Sequence, residues 1–312
     1  TAYNQWLKLG TVKAIKTPCA TDCSASVTLA TIAGFKSVNM SFPFVYGTNA
    51  PTTSTIVKRF KDTGRFIHLT DKKYLKYNEI VSIADLNDIV FGAWDVYPEN
   101  AFESAMHCQV LKEKDINPVK DELKKIVPLK AAFDKNYAKR LEGDNVKECK
   151  DRWDMTEQLR EDIRNFKKEN GVDRVVVLWA ASTEVYVPIN EEVHYKLADL
   201  EAAMKANDVE NIAPSMCYAY AALAEGAPFI MGAPNTTIDI PAMWEMAEKT
   251  KMPIAGKDFK TGQTLVKSGF APIIGTRCLG LAGWFSTNIL GNRDGLVLDE
   301  PANFRTKEVS KL

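Results

Sequence analysis

From about residue 84 onward, two hydrophobic periods alternate along the chain. Short runs that are apolar at consecutive positions, Asp88-Ile-Val-Phe-Gly-Ala-Trp94, Arg174-Val-Val-Val-Leu-Trp179, Pro228–Met231 and Met252–Ala255, predict strands covered on both faces. Between them the apolar positions fall at helical spacing. Phe102, Ala105 and Met106 mark a helix over Glu99–Leu111. Leu159, Ile163 and Phe166 mark a longer one, capped by Asp154 and Thr156, running to Asn170 with Gly171 just past its end. Pro214 opens a third helix that closes at Glu225 and Gly226, and Pro241–Thr250 reads as a fourth. Strands alternating with helices predict an α/β chain with a mostly parallel sheet. Residues 117–155 interrupt the pattern as a polar, lysine-rich excursion with a helix over Asp121–Ile126, expected to be a surface insertion.

In such sheets ligands gather beyond the carboxyl ends of the strands. Those ends are Gly92-Ala-Trp-Asp95, Ala180-Ala-Ser-Thr-Glu184, Gly232-Ala-Pro-Asn-Thr-Thr237 and Gly256-Lys-Asp-Phe-Lys-Thr-Gly-Gln-Thr264. Any one of them is an ordinary strand-to-helix turn. Four in succession, each small or polar, point to a site.

Composition and charge narrow the function classes. Forty Lys+Arg balance forty Asp+Glu over 312 residues, so there is no basic excess for neutralising phosphates along a nucleic acid. The longest uncharged run, 37–57, is broken by Pro43, Gly47 and Pro51 and does not read as a membrane span. Six dispersed cysteines read as reduced thiols of a cytoplasmic protein rather than a disulfide framework. Cys19 and Cys23 lack histidines or a second cysteine pair nearby, which argues against structural zinc.

The C-terminal segment carries the densest chemistry. Lys257, Asp258, Lys260 and Thr261 crowd one loop. Ser286, Asn288, Asn292 and Asp294 alternate with small residues, and Lys307 and Lys311 lie four apart. On a helix those two ammonium groups share a face. Lysines beside amides and a carboxylate suit an anionic substrate whose oxygen gains charge during reaction, although a solvated helix face has the same spacing. With three scattered histidines, lysine chemistry is favoured over histidine acid–base chemistry.

The blocks Lys257–Thr264, Ser286–Gly295 and Phe304–Lys311, with Leu178–Glu184 and Gly232–Thr237 in the same order, resemble those of the myo-inositol-1-phosphate synthase (inositol-3-phosphate synthase) family, in its bacterial wording. The likeness spans about residues 83–311. It implies a Rossmann-like, mostly parallel sheet with a second α+β lobe for catalysis and oligomerisation. The domain reading is 1–250 for NAD binding and 251–312 for the start of the catalytic and tetramerisation lobe, cut short at its C-terminus.

The implied activity is isomerisation of D-glucose 6-phosphate to inositol phosphate by internal oxidation, enolisation, aldol closure and reduction, with NAD as cofactor and inositol and phospholipid biosynthesis as the setting. Matched position by position, the resemblance makes Lys260, Lys307, Lys311, Asp258 and Asn288 catalytic. It makes Asp95, Ala181, Ser182, Thr183, Gly232, Asp258, Thr261, Asn292 and Asp294 cofactor-binding. It implies a homotetramer with no nucleic-acid or membrane partner, and leaves open whether a monovalent or divalent cation serves.

Three departures stand out. Threonine occupies position 261 where the family usually has serine, and Lys257-Asp258 and Asn292-Arg293-Asp294 replace the more usual Asp-Asp and Asn-Asn-Asp. Residues 1–80 barely resemble the family, and the expected first strand and helix, Leu7–Val12 and Cys23–Phe35, enclose a glycine-free stretch, Lys13–Asp22. Close approach of a pyrophosphate requires glycine. Two other readings therefore stay open: an inactive structural or regulatory homologue, and a different NAD-dependent sugar-phosphate oxidoreductase.

Overall fold

The computed structural model describes residues 88–109, 111–259, 262–284 and 293–310, together with the backbone of three strands nearer the N-terminus. Those strands are β1 (Phe44–Val45), β2 (Arg65–His68) and β3 (Lys73–Lys76). β2 and β3 pair antiparallel with each other. The expected elements at Leu7–Val12 and Cys23–Phe35 lie outside the described residues.

The remaining strands are β4 (Phe91–Gly92), β5 (Trp94–Asp95), β6 (Leu129–Lys130), β7 (Val176–Trp179), β8 (Phe229–Met231) and β9 (Ile254–Ala255). One parallel sheet runs β4-β1-β7-β8-β9. β5 continues β4 after a break at Ala93 and pairs on its far side with β6, also parallel. Joined through that break, the order is β6, β4/β5, β1, β7, β8, β9. This is the 3-2-1-4-5-6 order of a doubly wound dinucleotide-binding sheet, with its reversal between β1 and β7.

The helices follow from local sequence. Asn100 begins α1 (Ala101–Cys108) with a capping box, accepting from Phe102 N and Glu103 N while Glu103 accepts from Asn100 N. The long helix α2 (Arg152–Glu169) is capped by Asp151, whose carboxylate accepts from Asp154 N at 2.7 Å. The expected caps Asp154 and Thr156 lie inside it instead. Asp154 accepts from Lys150 N, and Thr156 donates back to Arg152 O. Gly171 follows with φ +60°, the left-handed residue that ends the helix.

After α3 (Leu197–Lys205) comes α4 (Pro214–Ala224), opened by Pro214 and followed by Gly226 at φ +70°. Every residue of α4 from Pro214 to Leu223 is buried, between α2, α5 (Pro241–Thr250) and the sheet. Its alanines and Cys217 leave room for that close packing. The main core joins α2, α3, α4 and α5 to β7 and β8 through Leu159, Leu200, Met204, Met216, Phe229 and Met243.

The region 117–155 is not a surface insertion. It supplies the edge strand β6 and the buried residues Ala131, Ala132, Tyr137, Ala138 and Leu141. Its lysine content concealed a strand only two residues long. The described residues after β9 are helical where they are regular: α6 (Gly262–Thr276), α7 (Asp294–Leu298) and α8 (Pro301–Val309).

Candidate functional site

A cavity of about 410 Å³ opens beyond the carboxyl ends of β5 and β7, over the point where strand order reverses. Asp95, Val96 and Tyr97 form one wall, Ala180, Ala181 and Ser182 another, and Arg293 and Asp294 line it from the start of α7. Volume and position suit a small-molecule or cofactor site. Beneath it Trp94 and Trp179 each meet Tyr218 edge-to-face at 5.3 Å between centroids, a rigid aromatic floor.

Asp95 ends the second strand of the sheet. Its Oδ1 accepts Tyr97 N–H at 3.1 Å; burial pushes the carboxyl up, and that hydrogen bond and the Arg293 charge pull it back. The carboxyl of Asp294 is likewise pushed up by burial, then lowered by the Lys307 ammonium and by Ser182, whose Oγ donates to Asp294 Oδ1 at 3.4 Å.

Buried polar tethers on α8 join it to the Tyr137 and Thr183–Glu184 segments. Asn303 Nδ2 donates to Tyr137 O and Thr183 O, both at 2.8 Å, and Thr306 Oγ1 donates to Glu184 O at 2.7 Å. One turn of helix therefore grips the Thr183–Glu184 turn, with Asn303 and Thr306 almost fully buried. The next residue, Lys307, reaches Asp258 Oδ1 at 3.1 Å.

Asp258 is fixed from its own side, where it adopts φ +38° and its N–H donates to Ala233 O, while Phe259 N–H donates to Gly232 O. Lys257 pairs with Asp239. A Cβ at Gly232 would sit 2.5 Å from the Phe259 ring and 2.7 Å from Trp179 O. The carbonyl cannot yield, so Gly232→Ala is expected to displace the Asp258 loop and to lower thermal stability by about 1–3 kcal/mol, read by calorimetry.

The structure thus brings together Asp95, Ala181, Ser182 and Asp294 around the cavity, and Asp258 with Lys307 beside them. Asp294 joins the two groups, bonded to Ser182 and within the field of Lys307. Thr183 and Gly232 are not among the described residues lining the cavity. Thr183 gives its carbonyl to Asn303, and Gly232 makes room for Phe259. Lys260, Thr261, Asn288, Asn292 and Lys311 lie outside the described residues. Among the described residues no cluster of His, Cys, Asp or Glu could hold a metal ion. No helix among them is long and apolar enough to cross a membrane.

Sequence reasoning missed a second buried network. Glu184 accepts from Ser215 N at 2.9 Å and from Asn235 Nδ2 at 3.1 Å, and its own N–H donates to Asn235 Oδ1 at 3.0 Å. Ser215 Oγ bonds both this carboxylate and Thr237 Oγ1. The signal was present as an acidic residue ending an otherwise uncharged run, Val175–Thr183. Burial pushes the Glu184 carboxyl up to about 7, against the lowering pull of its Ser215 hydrogen bonds.

The unfolded carboxyl titrates at about 4.5, so between pH 4.5 and about 7 the folded chain holds a proton that the unfolded chain has released. This group's stabilisation is complete below pH 4.5 and is lost as pH rises through 7. Denaturant midpoints measured from pH 5 to 8 are expected to fall with pH more steeply for the native sequence than for Glu184→Gln.

Comparison with known proteins places this arrangement. The family model described as myo-inositol-1-phosphate synthase matches residues 61–301. Another, described as an endolysin-like domain, matches residues 1–87 and overlaps the first match over residues 61–87. Inositol-3-phosphate synthase 1 of Bacteroides thetaiotaomicron is 62% identical over 242 residues, covering 78% of this chain and 56% of the relative. The Saccharomyces cerevisiae enzyme is 33% identical over 249 residues, covering 76% and 46%. The chain therefore spans about half the length of the curated relatives it matches.

In fold, a crystal structure of inositol-3-phosphate synthase from Caenorhabditis elegans superposes with TM-score 0.72 at 24% identity, covering 87% of this chain and 59% of that one. A related protein from Thermotoga maritima gives 0.56 at 18%. By the extent of the family-model match, with the sheet order and the five sequence blocks in agreement, the chain belongs to the myo-inositol-1-phosphate synthase family.

Proposed function

We propose that this chain supplies the dinucleotide-binding sheet and part of the catalytic machinery for isomerising D-glucose 6-phosphate to 1D-myo-inositol 3-phosphate with NAD. The observation that carries the reading is the grip of α8 on the Thr183–Glu184 turn, which holds Lys307 against Asp258 beside the cavity.

The donor set fits a dinucleotide. An acidic residue at the end of the second strand is the usual partner of a ribose hydroxyl, and small residues at Ala180–Ser182 allow close approach. Asp95 would accept from the ribose, with Ala181, Ser182, Thr183, Gly232, Asp258, Thr261, Asn292 and Asp294 as the remaining cofactor-side positions. When bound, NAD supplies the reversible hydride acceptor for a reaction with no net redox change.

The chain's own residues then have distinct roles. The Lys307 ammonium stabilises the oxygen that gains charge as a carbonyl forms and enolises, and Asp258 orients that ammonium without neutralising it in bulk water. Lys260, Lys311 and Asn288 complete the donor set around the substrate. Holding an open-chain sugar phosphate in one cyclising pose is the other requirement, and rigid tethers such as Asn303 serve it. The proposal includes a homotetramer acting in the cytoplasm for inositol and phospholipid synthesis, with the cation's identity open.

A second reading has its own support: the lack of a glycine-rich loop in residues 1–80 favours an inactive homologue. The deciding experiment follows inositol phosphate from glucose 6-phosphate with and without NAD while monitoring NADH. Product without net NADH supports the isomerase. Net NADH indicates an oxidoreductase that releases a keto product, and no product with no NAD binding indicates the inactive homologue.

A further inference from the structure

The wall of the cavity beyond Asp95 contains an arginine that the proposed reaction does not use. The Arg293 guanidinium lies with its Cζ 3.5 Å from the centroid of the Tyr97 ring, and both residues line the cavity together with Asp95. Among the described residues the Arg293 side chain makes no hydrogen bond or ion pair, and its charge acts on Asp95 only through the field across the cavity wall.

Its backbone position is nevertheless built. Arg293 directly precedes α7, whose Val297 is buried against Ala138 and Leu141, and Val297 N–H donates to Arg293 O at 3.0 Å. Arg140 pairs with Asp299 at 3.2 Å, adding a second fastening between the same segments. The Tyr97 ring is also held, its hydroxyl accepting Glu142 N–H at 3.4 Å. A planar cation stacked on an anchored ring loses little freedom when it binds a planar or tetrahedral anion.

In a sheet of this order, the carboxylate ending the second strand takes the adenosine ribose hydroxyls and repels a phosphate on the 2′ oxygen. An arginine nearby reverses that preference. Here both elements stand on the same wall. We infer that Arg293, seated on Tyr97 beside Asp95, accepts the 2′-phosphate of a dinucleotide, so that this site takes the phosphorylated cofactor NADP as well as NAD. The inference rests on the dinucleotide reading of the cavity and concerns the adenosine end alone.

The test is equilibrium binding of NAD and of NADP to the full chain by isothermal titration, independent of turnover. For the native sequence the two dissociation constants are expected to lie within about tenfold of each other. Arg293→Ala is expected to weaken NADP by about tenfold or more, the size of a lost charge-assisted contact, and to change NAD by less than about threefold. Arg293→Lys, which keeps the charge but not the planar stack, is expected to fall between. Tyr97→Leu is expected to weaken NADP in the same direction, providing a second variant on a different element.

If NAD binds and NADP does not, or if Arg293→Ala shifts both nucleotides equally, this inference is overturned while the dinucleotide reading stands. If neither nucleotide binds the native chain, the dinucleotide reading falls and this inference with it.

Discussion

Lys307→Ala is expected to lower kcat for inositol phosphate formation by at least about a hundredfold while leaving the chain folded. The size follows from the role of the ammonium, since a preorganised donor aimed at a developing oxyanion typically contributes a factor of about 10²–10³. The folding half follows from burial. The Lys307 and Asp258 side chains retain 28% and 16% exposure, and ion pairs with that much access to water are worth only about 0–1 kcal/mol. Thermal unfolding within a few degrees of the native sequence, together with lost turnover, would separate the catalytic role from a structural one. An unchanged kcat would remove Lys307 from the mechanism, and a large fall in stability would make it a structural strut between α8 and the Asp258 loop.

This expectation depends on a tether that the sequence did not reveal. In the sequence the Lys307–Lys311 spacing drew attention to the lysines alone, and Asn303 and Thr306 on the same stretch carried no signal. The structure reverses the emphasis, since both are almost fully buried and donate to the carbonyls of Tyr137, Thr183 and Glu184. A polar side chain at helical spacing does not announce whether water or another segment's backbone receives its hydrogen bond, and only the tertiary arrangement decides.

Other features were legible for clear physical reasons. Strands covered on both faces must be continuously apolar, so Val176–Trp179 and Phe229–Met231 stood out. Pro214, Gly226 and Pro241 marked helix limits because proline fixes φ at a first turn and glycine tolerates the left-handed position after a last one. The parallel sheet was likewise expected, and its order follows the doubly wound pattern.

Less was legible where elements are short. β6 has two residues, one a lysine, and no period can be read from two positions. The central strand is Phe44–Val45, in a region whose expected strand was Leu7–Val12, and it lies in the stretch that matches an endolysin-like model. Its place in the sheet is given by parallel pairing with β4 on one side and β7 on the other, although its own sequence carries no family signature.

The second large effect concerns the buried ion pair behind Asp134, one of the residues that line the cavity. Arg152 is buried at the first position of α2, where Nε donates to Ile212 O at 2.9 Å and Nη2 pairs with Asp134 Oδ2 at 2.5 Å. Asp134 follows Phe133 in the segment that lines the cavity, and its other oxygen accepts Asn136 N–H. Arg152→Ala leaves that carboxylate, only 15% exposed, without its counter-charge and leaves Ile212 O without its donor. Breaking one side of a buried pair costs about 3–5 kcal/mol, so the melting temperature is expected to fall by roughly 6–15 °C.

The double change Arg152→Met with Asp134→Asn distinguishes the source of that loss. Asparagine keeps the acceptor for Asn136 N–H and removes the stranded charge, while methionine fills most of the arginine's volume. If the uncompensated carboxylate is the cause, the double variant recovers more than half of the lost stability in urea denaturation. If the lost donor to Ile212 O is what matters, the double variant, which does not restore it, remains as unstable as Arg152→Ala.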